Sequence, residues 1–472
     1  MRASHLRANQ HRLSRTRYAV RTPFVVRPPP GAGWAKSRLG GVGGACESSP
    51  VSTATERPKV SLRQFWTDLP TPGRWLLSTV AIQTLGRGLT LPFTVIYIHE
   101  VRGISLGTAG TLLALIAVVA LIVTGPGGSL TDRLGARRML IAGTTAQLVG
   151  CTVLAFATNV PLFVVGFVLL GFNFGVSWPA FNALIASVVT GPLRQQYFGV
   201  NFALVNLGIG LGGVIGGIFV DVHEPMTFTL IFLADALSML VPIGLLLGPL
   251  RHVHGRAERP EGTPTVGYLS ILRRPPVLWL TFVTFLCTFI GYGQIESGFP
   301  AFSRQVGEVS TGTIGMAFAV NTVVIVAMQF TVLKFVTGRR RTRVLLVMVA
   351  VWIASWIVLS AAGISPASLG AMVAVVAFMA VFGFGEIFMQ IAIPAITNDM
   401  ADDHMRGRAN AVNAGAFQGG AILGPIVSGL LLEHDLSGVF ITAMLAGLVV
   451  MGVAIFALER QLTPLENGVT SG

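Results

Sequence analysis

Long apolar runs separated by short polar turns dominate the chain from about residue 75 to residue 460. A hydrocarbon core about 30 Å thick is crossed by a helix of roughly 20 apolar residues. Runs of this length form two groups of six, which predicts an all-α membrane protein with twelve transmembrane helices, called span 1 to span 12 in chain order. The predicted spans are 75–98, 108–127, 139–158, 161–186, 198–220 and 226–249, followed by 277–301, 311–334, 344–363, 367–397, 408–432 and 439–459.

The polar stretches divide the chain into five parts. The longest one inside the chain is rich in Arg, His, Pro and Gly, which is typical of a flexible connection. We therefore predict two six-helix bundles with a cytoplasmic linker between them. The parts are a basic, unstructured N-terminal extension at 1–64, a first bundle at 65–250, the linker at 251–276, a second bundle at 277–460 and a C-terminal tail at 461–472.

Composition supports a membrane protein and locates the positive charge. The chain is 52% hydrophobic and only 11% charged, whereas a soluble domain has about 25% charged residues. Of the net charge of +13, residues 1–50 supply +8, from eight Arg and one Lys against one Glu, and the remainder supplies +5. We therefore expect a lipid bilayer and no nucleic acid as the partner. The basic extension could contact anionic lipid or could have no partner.

Basic residues alternate with acidic residues from one turn to the next. Cytoplasmic turns of membrane proteins carry an excess of Lys and Arg, so both termini are predicted to be cytoplasmic, with the chain in the inner (cytoplasmic) membrane. Acidic residues collect in the odd-numbered turns at Asp221, Glu224, Glu433 and Asp435. The even-numbered turns contain Arg133, Arg137, Arg138, Arg194, Arg251, Arg256, Arg259, Arg273, Arg274, Arg339, Arg340, Arg341, Arg343, Arg406 and Arg408.

The second half of the chain repeats features of the first. Arg194 and Asn201 precede a glycine series in span 5, and Arg406 and Asn413, 212 positions later, precede a similar series in span 11. Two halves in the same orientation indicate a parallel repeat about an axis along the membrane normal. Small residues at i and i+4 allow helix backbones to approach closely, either as static packing or as a moving interface. The candidate hinge residues are Gly208, Gly212, Gly213, Gly216, Gly217, Gly424 and Pro425.

The turn between spans 2 and 3 resembles a loop of the Major Facilitator Superfamily, G-x-x-x-D-R-x-G-R-[RK], with one extra residue before the last basic pair. The span 5 glycines resemble the antiporter motif of that superfamily, except that Gly213 replaces its proline. The sequence looks most like the twelve-span bacterial drug:proton antiporters. These often carry an arginine in span 4, four residues before a glycine, and at that position this chain has Phe167. The resemblance implies a cytoplasmic gate made of Gly128, Asp132, Arg133, Gly135, Arg137 and Arg138.

In that resemblance, Asp132 faces the N-terminal end of span 11, where the helix dipole favours an anion. This contact would hold the outward-facing state closed on the cytoplasmic side. The corresponding turn of the second half, from Thr337 to Arg343, keeps the glycine and the bases but has no acid. Only one such contact is therefore expected.

Ionisable groups inside spans are candidates for the transport pathway because burying them in lipid is costly. Four qualify: Arg87, Asp235, Glu296 and Glu386. Arg87 lies near the middle of span 1 and needs a carboxylate partner, either Asp235 or Glu386, or an anionic substrate group. Glu296 is near enough to the outer end of span 7 to reach water. The polar residues Asn173 and Gln390, each close to aromatic residues, complete the predicted pathway.

These features predict a secondary transporter, without a cofactor or bound metal, that moves a small, lipophilic molecule by alternating access. Buried carboxyl groups favour protonation, which suits proton-coupled efflux. A proton-coupled importer of a small metabolite such as a sugar is the alternative. A sensor or an intramembrane enzyme is a distant one, because no nucleophile–base pair or phosphate loop occurs within the spans. We expect a monomer.

Overall fold

The computed structural model describes residues 62–253, 274–400 and 406–469. These residues are almost entirely helical, and no β-strand occurs among them. A short helix, Leu62–Asp68, begins inside the stretch predicted as an unstructured extension. The predicted linker lies largely outside the described residues.

Ten of the predicted spans are nearly regular α-helices. Spans 2 to 6 are Leu106–Leu134, Ala136–Ala155, Val160–Val188, Gly191–Phe219 and Pro225–Ser238 with Leu240–Leu247. Spans 8 to 12 are Thr311–Val336, Arg341–Ser360, Leu369–Asp399, Arg406–Glu433 and Ser437–Glu459.

Eleven of the described helices are long and apolar enough to cross a membrane, and they are spans 2 to 12. Span 1 is not among them, and Gln83 and Arg87 interrupt its apolar run. Its α-helical part, Thr71–Thr90, nevertheless has 20 residues, which corresponds to a length of about 30 Å. The twelve predicted spans thus correspond to twelve helical segments, the first of which carries unusual polar groups.

Spans 1 and 7 depart from regular α-helical geometry. Span 1 continues beyond Thr90 through a 3₁₀ turn, Leu91–Phe93, and ends in a π turn, Tyr97–Val101. Pro92 lies in that 3₁₀ turn, and its missing N–H removes one hydrogen bond of the helix. Span 7 runs from Pro275 to Gln305 with two π turns between its α-helical ends. Such π turns often occur at functional sites, and in span 7 they cover Thr288–Tyr292 and Gln294–Gly298.

Each half forms a six-helix bundle, and the two bundles use the same helix pairs. In the first half, spans 1 and 5, 1 and 6, 2 and 4, 3 and 4, and 3 and 6 pack together. Every one of these pairs has its counterpart six spans later in the second half. Span 2 packs against span 11, and span 5 against span 8, to join the halves. This pattern is the parallel repeat that the sequence predicted.

Two ends of the molecule can be distinguished by their turns. The basic end carries the turns after spans 2, 4, 8 and 10, and the opposite end carries the turns after spans 1, 3, 5, 7, 9 and 11. Near the opposite end, spans 2 and 11 approach so closely that a Cβ atom at Gly110 would overlap the Pro425 carbonyl oxygen. Toward the basic end, a Cβ atom at Gly125 or Gly128 would meet no atom of the described residues within 4 Å.

Polar contacts also connect the halves at the opposite end. Glu433, at the C-terminal end of span 11, accepts a hydrogen bond from the first turn of span 2, where the helix dipole favours an anion. Midway along the spans, Thr322 donates to the carbonyl oxygen of Asn206 at 3.0 Å. The pairs at the opposite end are Gly107 N with Glu433 Oε2 at 2.7 Å, Arg304 Nε with Glu100 Oε1 at 2.8 Å, and Thr311 Oγ1 with Val220 O at 3.2 Å.

This geometry predicts different effects for the same substitution at two positions of span 2. We expect Gly110→Leu to lower the stability of the protein by about 1–3 kcal/mol, because the added side chain has no room against Pro425. The measurement is the thermal unfolding midpoint in detergent. Gly125→Leu is the matched control and should change stability by less than about 0.5 kcal/mol. Equal midpoints for the two variants would contradict the close contact of spans 2 and 11.

Candidate functional site

A partly buried arginine in the middle of span 1 connects the two halves. Arg87 Nη2 lies 3.3 Å from Glu296 Oε1 in span 7. The Phe174 ring of span 4 lies beside the guanidinium, with 4.6 Å between Arg87 Cζ and the ring centroid. Gly86 and Gly88, on either side of Arg87, let spans 6 and 5 pack directly on span 1. The guanidinium therefore has both an anion and an aromatic face as neighbours.

The partner expected for Arg87 was wrong. The sequence indicated Asp235 or Glu386, but the carboxylate that pairs with Arg87 is Glu296. Glu296 was expected to reach the outer surface, and its side chain is 42% exposed, yet one oxygen is directed at Arg87. Glu296 lies within a π turn, which changes side-chain directions relative to a regular α-helix. Helical periodicity alone could not predict this direction.

Asp235 is a buried acid of the first half that lines the same small cavity as Arg87 and Glu296. It is 3% exposed, and its Oδ2 atom accepts a hydrogen bond from Thr90 Oγ1 at 3.0 Å. The Cys151 sulfur lies 3.5 Å from the same oxygen. Asp235 Oδ1 has no hydrogen-bond partner among the described residues. A buried carboxyl group with an unpaired oxygen costs free energy, so Asp235 remains a candidate for a functional acid.

Glu386 lies in the second half, where Tyr292 and Gln390 form a chain with it. The Tyr292 hydroxyl donates to Glu386 Oε1 at 2.5 Å, and Gln390 Nε2 donates to the Tyr292 oxygen at 2.6 Å. Glu386 is only 7% exposed. It borders an open cavity of about 190 Å³ whose lining is otherwise apolar or amide. The lining residues are Phe202, Ile325, Gln329, Glu386, Ile387, Gln390 and Ile391.

Asn173 belongs to a neutral cluster in the first half. Its Nδ2 atom donates to Gln147 Oε1 at 2.6 Å, and its Oδ1 atom accepts from Ser177 Oγ at 2.6 Å. Asn173 and Ser177 line a second open cavity, of about 180 Å³, between helices of the first half. No charged residue is among the described residues that line this cavity.

The predicted pathway residues therefore fall into three groups. Arg87 pairs with Glu296, and Asp235 lines the same small cavity. Glu386 and Gln390 meet through Tyr292, and Asn173 lies with Gln147 and Ser177. Tyr292 was not predicted as a site residue from the sequence, although it precedes Glu296 by about one helical turn. Nor was Gln147, because nothing in the sequence relates this residue to a partner 26 positions away.

The predicted gate is described only in part. Gly135 has a φ of +92°, which favours glycine, and it separates span 2 from span 3. Arg137 Nε donates to the Leu246 carbonyl oxygen at 2.7 Å and so ties this turn to span 6. The side chain of Asp132, like those at the beginning of span 11, lies outside the described residues. The predicted contact of Asp132 with span 11 therefore stays a prediction.

The glycine series of span 5 serves two interfaces. Gly208, Gly212 and Gly216 face span 1 within the first half. Gly213 and Gly217 face span 8, across the junction between the halves. In span 11, Gly424 packs on Gly293 of span 7, while the Pro425 carbonyl oxygen contacts Gly110 of span 2. Spans 5 and 11 therefore each take part both in packing within their own half and in the junction between the halves.

The basic turn of the second half obtains an acid from another span. Arg341 Nη1 lies 2.7 Å from Asp399 Oδ2 at the end of span 10. The predicted tail also docks here, because Asn467 Oδ1 accepts a hydrogen bond from Thr342 N at 3.0 Å and its carbonyl oxygen accepts one from Arg341 N at 2.9 Å. The acid that the turn itself lacks is therefore supplied in the folded chain.

Two repeat-related bundles with ionisable groups at mid-span define a multi-pass membrane protein of the transporter class. The family model of the Major Facilitator Superfamily matches residues 76–379 and 308–471. The chain belongs to this superfamily. It is a transporter of the superfamily's type, as the sequence resemblance indicated.

Relatives of known sequence agree with this assignment. The chain is 25% identical over 373 residues to the MFS-type transporter YttB of Bacillus subtilis, covering 78% of this chain and 89% of the relative. It is 23% identical over 387 residues to the quinolone resistance protein NorA of Staphylococcus aureus, covering 80% and 93%. Multidrug resistance protein 2 of Bacillus subtilis is 22% identical and covers 82% of this chain and 95% of the relative.

Solved structures show the same fold at low sequence identity. The nucleoside transporter NupG superimposes with a TM-score of 0.67 at 15% identity, over 83% of this chain and 100% of that chain. A POT family transporter in complex with 5-aminolevulinic acid gives a TM-score of 0.70 at 12% identity, over 84% and 97%. Within the described part of the chain, no group of three or more His, Cys, Asp or Glu residues could hold a metal ion.

The pair of Arg87 and Glu296 can be tested by exchanging the charges. We expect R87E to destabilise the protein by about 1–3 kcal/mol, because it places acids side by side in a partly buried site. The double variant R87E/E296R should recover part of this loss, since it restores opposite charges. Thermal unfolding of the native chain, both single variants and the double variant gives the coupling energy of the pair. A double variant no more stable than the sum of the single effects would show that the pair contributes nothing.

Proposed function

We propose that the chain exports lipophilic, positively charged compounds across the cytoplasmic membrane in exchange for protons. Transport would proceed by alternating access, as the two bundles rock about sites near the membrane midplane. The observation that carries this proposal is Glu386, a buried carboxyl group beside an open cavity lined by apolar and amide side chains.

The chemistry of Glu386 links the movement of the proton to the movement of the substrate. A carboxylate beside an apolar cavity is stabilised by one positive charge, which either a proton or a cationic substrate can supply. Proton and substrate therefore compete for the same group. Tyr292 and Gln390 hold the carboxylate in one position, so that both ligands meet the same oxygen atoms. Competition for one carboxylate couples the entry of the proton to the exit of the substrate.

The direction of transport is supported by the relatives and by the charge of the turns. Two relatives are named for quinolone or multidrug resistance, and span 5 carries most of the antiporter glycine motif. The basic end faces the cytoplasm under the positive-inside rule. The contacts that join the halves near the opposite end support a state open to the cytoplasm, from which an exporter would load its substrate.

Transport into everted membrane vesicles tests this proposal. We expect an imposed proton gradient to drive accumulation of the lipophilic cation ethidium, and E386Q to reduce the rate at least about tenfold, because the glutamine cannot exchange a proton. D235N should reduce it as well if the second buried acid takes part. E459Q is the control, because the partners of Glu459 among the described residues are Arg340 and Arg343 at the basic end. Its rate should equal that of the native chain.

Two results would overturn the proposal. Unchanged ethidium transport by the E386Q/D235N double variant would exclude both acids as coupling groups. Uptake of a sugar from a tested panel into right-side-out vesicles, without any ethidium transport, would instead indicate an importer of a small metabolite.

The predicted cytoplasmic gate residue Asp132 leads to a further prediction, which concerns the rate of transport. We expect D132N to slow ethidium transport about tenfold while equilibrium binding of ethidium stays unchanged, because Asp132 stabilises only the outward-facing state. Transport rates in vesicles and ethidium binding to the purified protein give the two quantities. A normal rate for a correctly inserted D132N variant would reduce the turn to a signal for membrane topology.

A further inference from the structure

The basic turn between spans 8 and 9 exposes three arginines at the surface of the second half. The side chains of Arg339, Arg340 and Arg343 are exposed, whereas that of Arg341, between them, is partly buried. Arg341 is directed inward and pairs with Asp399. The other three arginines therefore belong to a different surface, which has no part in the transport sites described above.

Two of these arginines lie against phenylalanine rings. Arg339 Cζ is 3.8 Å from the centroid of the Phe335 ring, at the end of span 8. Arg343 Cζ is 5.6 Å from the centroid of the Phe456 ring, near the end of span 12. The two phenylalanine residues are 51% and 48% exposed. Because a guanidinium is attracted to a ring face, both cations lie beside exposed apolar groups instead of extending into water.

This surface lies at the edge of the bilayer. The principal helix contacts of spans 9 and 12 are all with segments of the second half, so the outer faces of these two spans meet lipid. Val449 and Val453, further from the basic end of span 12 than Phe456, are also exposed. Exposed apolar side chains along a span contact acyl chains, and aromatic and basic residues near its end lie at the level of the lipid headgroups. The arginines are therefore at headgroup level.

One acid serves the three arginines. Glu459 Oε1 lies 3.2 Å from Arg340 Nη1 and 3.2 Å from Arg343 Nε. No carboxylate of a described residue pairs with Arg339, whose guanidinium has the Phe335 ring as its neighbour. Three positive charges against one negative charge leave a surplus of two in the described part of the chain. A guanidinium also has further N–H donors beyond the one that each pair uses.

Several arginines of the first half at the same end are engaged differently. Their Nε atoms donate to carbonyl oxygens near helix ends, which is a structural role. The pairs are Arg74 with Leu69 at 2.8 Å, Arg137 with Leu246 at 2.7 Å and Arg194 with Val189 at 2.9 Å. Among the described residues, no carbonyl oxygen accepts a hydrogen bond from the side chain of Arg339, Arg340 or Arg343. These three are thus available to an anion from outside the chain.

We propose that Arg339, Arg340 and Arg343, together with Phe335 and Phe456, bind an anionic phospholipid. The phosphate group accepts hydrogen bonds from the guanidinium groups, whose planar N–H donors match phosphate oxygens. The acyl chains lie along Phe456 and the exposed valines of span 12. A zwitterionic lipid fits less well, because its own cation opposes the surplus positive charge. The site is independent of the transported compound and of the direction of transport.

Lipid binding to the full chain tests the proposal. Native mass spectrometry of delipidated protein in detergent, titrated with phosphatidylglycerol or with phosphatidylcholine of the same acyl chains, gives the Kd of the first bound lipid. We expect phosphatidylglycerol to bind the native chain about tenfold more tightly, since each nearby arginine favours an anionic headgroup. R339Q/R343Q should reduce this preference to about twofold or less. R63Q/R274Q is the matched control, because it removes two exposed arginines at the same end, and it should retain the preference.

Three results would overturn the proposal. The first is equal affinity of the native chain for the two lipids, a comparison that needs no variant. The second is a full preference for phosphatidylglycerol in an R339Q/R343Q protein that unfolds at the same temperature as the native chain. The third is displacement of phosphatidylglycerol by an equal concentration of glycerol 3-phosphate, which would assign the arginines to a soluble phosphate compound. Loss of the preference in R63Q/R274Q as well would show a general effect of charge and no site.

Discussion

The close approach of helix backbones at one end of the molecule is the constraint on which the rest of the structure depends. Lipid gives apolar side chains no reason to prefer another helix, so spans associate through close packing and hydrogen bonds. Glycines provide that packing where span 5 meets span 8 and where span 2 meets span 11. Because the halves are fixed together there, Arg87 lies within reach of Glu296.

The two halves share an arrangement of helices but not a chemistry. Their helix pairs correspond one to one, whereas the acid beside an open cavity occurs in the second half and the amide cluster in the first. Asn201 and Asn413, which occupy equivalent positions of the repeat, each have a buried oxygen without a partner among the described residues. Packing thus follows the repeat, while the groups that could recognise a ligand differ between the halves.

Local irregularity is concentrated where the polar groups lie. Span 7 contains two π turns, and both Tyr292 and Glu296 are within them. Tyr292 contacts Glu386 in its own half, and Glu296 contacts Arg87 in the other half. One helical segment therefore lies between two candidate sites. A change in its geometry would alter both, which is a physical route for communication between the halves.

The sequence by itself determined the helical membrane architecture, the repeat, the superfamily and the four ionisable positions. The architecture and the ionisable positions depend on the length and order of apolar runs and on the cost of burying charge, and the superfamily depends on the residues of the turn after span 2 and of the span 5 glycine series. All of these are local properties. It did not determine that Arg87 pairs with Glu296, that Asp399 supplies an acid to Arg341, or that Tyr292 holds Glu386. Each of these contacts joins residues far apart in the chain, and two depend on π turns that periodicity does not reveal. Only the tertiary structure could decide them, because helix packing and side-chain direction together select the partner.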